Sequence, residues 1–160
     1  MQGDPKILDL LNDLLAEELS AADQYFIHAE MYRDWGLQRL FARIDHERQD
    51  ELEHARRLIA RILFLGGKPN VARRVPIAVG EDVPAMLRND LDVEYRVAKQ
   101  LKSVIAACEK AHDYVTRDGL MVLLEETEND HAHWLEQQLH LIELTGLANY
   151  QQSQLGEGAS

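Results

Sequence analysis

A single cysteine, Cys108, stands among 160 residues. It can support neither an internal disulfide framework nor a cysteine-based zinc site. Four prolines and nine glycines are clustered, which leaves long stretches without a helix breaker. Positive charge is also scarce: 17 Lys and Arg face 28 Asp and Glu, for a formal net charge of -11. A nucleic-acid-binding surface is therefore not expected, whereas a field of this sign attracts cations. No apolar run approaches the roughly 18 residues of a membrane-spanning helix. The opening Met1-Gln2-Gly3-Asp4-Pro5 has neither the basic nor the apolar stretch of a secretory leader. These absences lead to the expectation of a cytoplasmic protein with no membrane or nucleic-acid partner. The length suits one domain over residues 1–160.

What is present is helical patterning. Asp4 and Pro5 start a predicted helix that runs to Asp34 and is ended by Trp35-Gly36. A second runs from Leu37 to Leu65, before Gly66-Gly67. Residues 68–80 hold two prolines and no periodicity. A third helix is predicted from Val83 to Ala111 and a fourth from Asp113 to Thr145, with a short tail helix over 148–154 and a frayed end at Gly156–Ser160. The tight turns make helices 1 and 2, and helices 3 and 4, antiparallel neighbours. The long middle segment makes helices 2 and 3 parallel. The expected fold is all-α: a four-helix bundle over about 5–145, with one long crossover and a short fifth helix, the ferritin-like arrangement.

Two patterns carry chemistry. Glu51-Leu52-Glu53-His54 and Glu128-Asn129-Asp130-His131 each place a Glu three residues before a His. On an α-helix that spacing puts both side chains on one face, where a carboxylate and an imidazole can share a metal. The apolar stripes show that these are seam positions. Helix 1 reads Ile7, Leu11, Leu14, Glu18, Ala21, Tyr25, Ala29. Helix 2 reads Leu37, Leu40, Ile44, Glu47, Glu51, His54, Leu58, Ile62, Leu65. Helix 3 reads Leu87, Leu91, Glu94, Val97, Leu101, Val104, and helix 4 reads Met121, Leu124, Glu128, His131, Leu135, Ile142. One Glu-x-x-His on an acidic helix is common by chance. Four seams interrupted near mid-length are not, because unpartnered buried carboxylates cost several kcal/mol each and no Lys or Arg shares the seams. Two cations are the partners expected, held by Glu18, Glu51, His54, Glu94, Glu128 and His131. Ligands of this kind suit iron or manganese, with zinc as a competitor.

The sequence resembles the bacterioferritins over nearly its whole length. The resemblance rests on Met1-Gln2-Gly3-Asp4, Asp23-Gln24-Tyr25-Phe26, Asp34-Trp35-Gly36-Leu37, Arg61-Ile62-Leu63-Phe64-Leu65, Met86-Leu87-Arg88, His112-Asp113-Tyr114-Val115 and His131-Ala132-His133-Trp134-Leu135-Glu136. It implies a 24-subunit shell that oxidises Fe(II) with O2 or H2O2 and stores ferric mineral. It further implies a ferroxidase centre at the six residues above with Tyr25 beside it, an inner-surface iron site at His46 and Asp50, and a ferredoxin-type reductant for iron release. On the ligand arrangement, Glu18 and His54 would hold one iron and Glu94 and His131 the other, with Glu51 and Glu128 bridging. In one respect the chain departs from the pattern. The family's haem-ligating methionine falls at Leu52, and leucine has no lone pair to offer iron. Met31 and Met86 are expected to pack as apolar residues. Haem b is therefore disfavoured unless a methionine-bearing second subunit co-assembles in a hetero-oligomer. The tail helix, with Tyr150 and Leu155 on its apolar side, is expected to pack against symmetry copies around a pore. The alternative is a di-iron protein without a mineral shell, peroxide-protective or oxygenase-like.

Overall fold

The computed structural model describes residues 1–156 and is all-helical, with no strand among them. The expected frayed end reaches residues 157–160, which lie outside the described residues. α1 spans Pro5–Asp34, α2 Gln38–Phe64, α3 Val83–Lys110 and α4 Tyr114–Glu125. A π-helical segment, Glu126–Ala132, joins α4 to α5, His133–Thr145, and α6 spans Leu147–Ser153. The Asp4 side chain caps α1 by accepting from the Lys6 N–H at 2.8 Å, with Pro5 at the first helical position. Asp82 caps α3 by accepting from Ala85 N–H.

The stripes of helices 1, 2 and 3 are buried as read, acids included. The fourth differs. Met121 is 47% exposed, and Leu120, Leu123, Leu124 and Thr127 fill the buried side ahead of His131. Met86 is buried in the core and Met31 packs against it.

The crossover lies in a groove that α1 prepares for it. Asn12, Ser20, Gln24 and His28 fall on one row of α1, spaced by multiples of four. Asn70 N–H donates to Asn12 Oδ1, Val75 N–H to Ser20 Oγ, Ala78 N–H to Gln24 Oε1 and Gly80 N–H to His28 Nε2, at 2.8 to 3.0 Å. Four side chains thus satisfy the backbone of an extended strap running along α1. It starts where Gly3 N–H meets Leu65 O and ends at α3, so α2 and α3 run parallel. Gly80 is needed at that end, because a Cβ there would lie 2.5 Å from Met86 N. Behind the strap, Asp90 Oδ1 accepts from Gln24 Nε2 and contacts His28 Nδ1, both at 2.8 Å. Since His28 Nε2 accepts from Gly80, the imidazole proton sits on Nδ1 and donates to Asp90.

The tail helix departs from expectation. Tyr150 is buried in its own chain and its hydroxyl donates to Gln138 Oε1 at 2.7 Å, so it does not face symmetry copies. Leu155 remains 47% exposed.

Candidate metal centre

Four elements deliver side chains to mid-bundle. α1 gives Glu18 and Tyr25, α2 gives Glu47, Glu51 and His54, α3 gives Glu94, and the π segment gives His131. All are buried, Glu18 completely. His54 Nδ1 lies 3.4 Å from Glu51 Oε2 and 3.6 Å from Glu18 Oε2. His131 Nδ1 lies 3.0 Å from Glu51 Oε1 and 3.5 Å from Glu94 Oε1. Two ligand triads result, Glu18–Glu51–His54 and Glu51–Glu94–His131, each with its donor atoms within 4.8 Å of one another. Glu51 belongs to both. Tyr25 donates its hydroxyl proton to Glu94 Oε1.

The donor atoms fit a cation. Both oxygens of Glu18, Glu47 Oε2 and His54 Nδ1 are buried without a hydrogen-bond partner. Such orphaned polar atoms in a sealed interior cost free energy that a bound cation, on the deprotonated ligands, offsets. Without one, the cluster redistributes its protons. Burial, and then the Glu51 charge, raise the Glu18 carboxyl well above the ordinary range. Burial likewise raises Glu94. Burial and the Glu94 charge work upward on Glu51 too, but Glu18, His131 and His54 outweigh them and hold it low. Burial opposes charging His54, yet Glu18 and Glu51 raise it to about 11. His131 is raised as well, by Asp50, Glu47, Glu51 and Glu94 acting against burial. Tyr25, pushed up first by burial and then by the Glu94 charge, stays a phenol that donates.

Glu128 is not brought to this cluster. Its side chain is 41% exposed and pairs with Lys102 on the outer side of α3. The cause is the π segment. An α-helix turns about 100° per residue, so residues three apart share a face. A π turn holds an extra residue, and the same sequence spacing opens to a wider angle. His131 keeps the seam, Thr127 takes the buried position expected for Glu128, and Thr127 Oγ1 has no partner there.

Three further groups meet the centre from residues that the spacing did not single out. Glu126 Oε2 lies 2.6 Å from His54 Nε2, and Arg57 contacts its other oxygen. Glu47 Oε2 lies 2.6 Å from His131 Nε2. Asp50 accepts from the same nitrogen at 3.1 Å. Glu47 was legible, since it sits on the α2 stripe between Ile44 and Glu51. Glu126 was not, because its approach depends on the π turn. His46 and Asp50 lie 3.5 Å apart near the surface, with His46 61% exposed.

Residues 8–145 match the family described as ferritin-like domain. The chain is 56% identical to a bacterial ferritin of Synechocystis over 97% of its own length and 99% of that protein. It is 53% identical to a bacterial ferritin of Neisseria meningitidis, covering 97% and 100%. It is 37% identical to a bacterioferritin of Mycolicibacterium paratuberculosis, covering 94% of each.

Proposed function

The chain belongs to the ferritin family, alongside the bacterial ferritins and bacterioferritins, and we propose that it stores iron by oxidising Fe(II) at its buried centre. The observation that carries this reading is the pair of Glu/His triads joined through Glu51. Two adjacent positions admit two Fe(II) as substrate. Each ion gives up one electron, so the pair, with two protons, reduces either one O2 to H2O2 or one H2O2 to two waters. Hard carboxylate oxygens bind Fe(III) better than Fe(II) and so favour the oxidised product.

The chain's own residues set the stage for that chemistry. Glu51 holds the two positions together. Glu18 with His54, and Glu94 with His131, close them on either side. Tyr25, by donating to Glu94, fixes which Glu94 oxygen faces inward. The acidic surface draws cations toward the protein. The product is stored in a shell of 24 copies. Leu52 leaves this subunit without a methionine for haem, so haem in the shell requires a methionine-bearing partner subunit. His46 and Asp50 are proposed to meet iron on the inner surface, and a ferredoxin-type donor supplies electrons for release.

Stopped-flow mixing of the metal-free protein and Fe(II) with oxygenated buffer tests the proposal. The expected result is a fast phase that saturates at two Fe(II) per subunit. Oxidation no faster than in buffer alone contradicts it.

A further inference from the structure

α2 and α4 leave a groove between them, a cavity of about 460 Å3. Small-molecule sites fall in this range, roughly 300–1,000 Å3. Leu58, Leu120 and Leu123 line it and are buried. Phe64 and Val115 line it too, yet are 55% and 68% exposed, so a ligand there would remove large apolar side chains from water. Gly119 lies in the same lining, in the middle of α4. A glycine in a helix costs stability relative to alanine. Nothing around this one requires it: its φ is not positive, and a Cβ would meet no atom within 4 Å. The missing side chain serves neither a turn nor a close contact. What it does is keep the groove open.

The charged residues of the lining are all cations. Arg56, Arg57 and Arg61 belong to it and no acid does, in a chain whose net charge is -11. Arg61 is held in place by Thr116 Oγ1, which accepts from its Nε at 2.8 Å, and by the Phe64 ring, whose centroid is 4.9 Å from the guanidinium carbon. Its Nη2 reaches Asp113 at 3.4 Å, which leaves Nη1 for a further acceptor. Arg57 directs Nε to Glu53 and Nη1 to Glu126, both at 3.3 Å, which leaves Nη2. An apolar trough thus ends on two fixed guanidinium groups with donors to spare.

We propose that this groove binds a monomeric alkyl carboxylate, a medium-chain fatty acid, with its chain along Leu58, Leu120, Leu123 and the gap at Gly119 and its carboxylate on Arg57 and Arg61. The two ends of the site select the two ends of the ligand. A short anion gains only an ion pair near the surface, which is worth little. A neutral chain gains the apolar contact but leaves the arginines without an acceptor. Only a chain that carries a negative head uses both.

Calorimetric titration of the full chain, in its assembled state, with dodecanoate below its micellar concentration tests this. The expected result is one dodecanoate bound per subunit, with dodecanol weaker by about tenfold or more and acetate without measurable binding. Gly119→Leu fills the gap and should abolish binding. Its thermal midpoint should match or exceed the parent's, because the new side chain enters open space and the helix loses a glycine. If Gly119→Leu proves unstable, Gly119→Ala serves in its place and should weaken binding. Arg57→Gln should weaken dodecanoate and leave dodecanol unchanged. No binding to the parent protein overturns the proposal and points to a second copy of the chain over Phe64 and Val115. Full binding by the Gly119 variants places the ligand elsewhere. Equal affinity for dodecanol and dodecanoate, or an Arg57→Gln variant that binds dodecanoate like the parent, overturns the role of the arginines.

Discussion

His54 and His131 lie nearly parallel across the bundle, with ring centroids 5.8 Å apart and planes within 16° of each other. Glu51 sits between them and turns one carboxylate oxygen to each Nδ1. That arrangement makes one side chain common to both metal positions, and it sets the order in which substitutions should matter.

Glu128 should be dispensable for rapid Fe(II) oxidation. It pairs with Lys102 on the outer side of α3, while Thr127 holds the buried position. Stopped-flow traces of Glu128→Ala should keep the fast phase, with a rate within about twofold of the parent, the scale of a surface ion pair. Loss of the fast phase would mean that the carboxylate swings inward when metal binds.

The strap is expected to depend on Asp90. Asp90→Ala leaves buried donors on Gln24 and His28 without an acceptor, at a cost on the order of 3 kcal/mol. Burial raises the Asp90 carboxyl, so its protonated form stabilises the fold at low pH and that contribution is lost as pH rises through the folded pKa. Asn keeps an acceptor oxygen and never ionises. Asp90→Asn should therefore cost less than Asp90→Ala at neutral pH. Thermal denaturation of the metal-free proteins checks the order, and equal losses would contradict it.

Much of this was legible in the sequence, and the part that was not has one cause. The helices, the parallel α2 and α3, and the seam positions of Glu18, Glu51, His54 and Glu94 all follow from periodicity and loop length, because an α-helix converts spacing into direction. Glu128, Met121 and Glu126 were misplaced or missed because the segment 126–132 does not keep the α period, and nothing in Glu-Thr-Glu-Asn-Asp-His-Ala announces a π turn. Tyr150 was misplaced for another reason. An apolar residue on a short helix fits its own bundle and a neighbouring copy equally well by pattern, and the acceptor on Gln138 decides between them.

Leu52 is 44% exposed, and as an alkyl side chain it brings no metal ligand to the α2 surface. The protein expressed alone should lack the absorption spectrum of haem held by two thioethers. Leu52→Met, which nearly conserves volume, should introduce it when haem is supplied. Six-coordinate low-spin haem in the parent protein would point to another ligand.

Cation binding should release protons. Carboxylates raise His54 to about 11, so the metal-free imidazole is charged at neutral pH, whereas a ligand must be neutral. The sign is that of a raised histidine. Its charge stabilises the metal-free fold fully below the unfolded pKa of about 6.5, and that stability fades as pH rises toward the folded value. Metal affinity should therefore strengthen over the same window. Calorimetry of Co(II) binding in buffers of different ionisation enthalpy measures the protons, and a buffer-independent heat would contradict the prediction.

The most direct test compares Glu51→Ala with Glu18→Ala in anaerobic Fe(II) titrations followed by oxygen mixing. Because Glu51 serves both triads, its loss should empty both positions and abolish the fast phase, whereas Glu18→Ala should spare the Glu51–Glu94–His131 position and still bind one Fe(II) per subunit with high affinity. If Glu51→Ala still binds two Fe(II) per subunit and oxidises them at the parent rate, the shared carboxylate is not the link between the two metals.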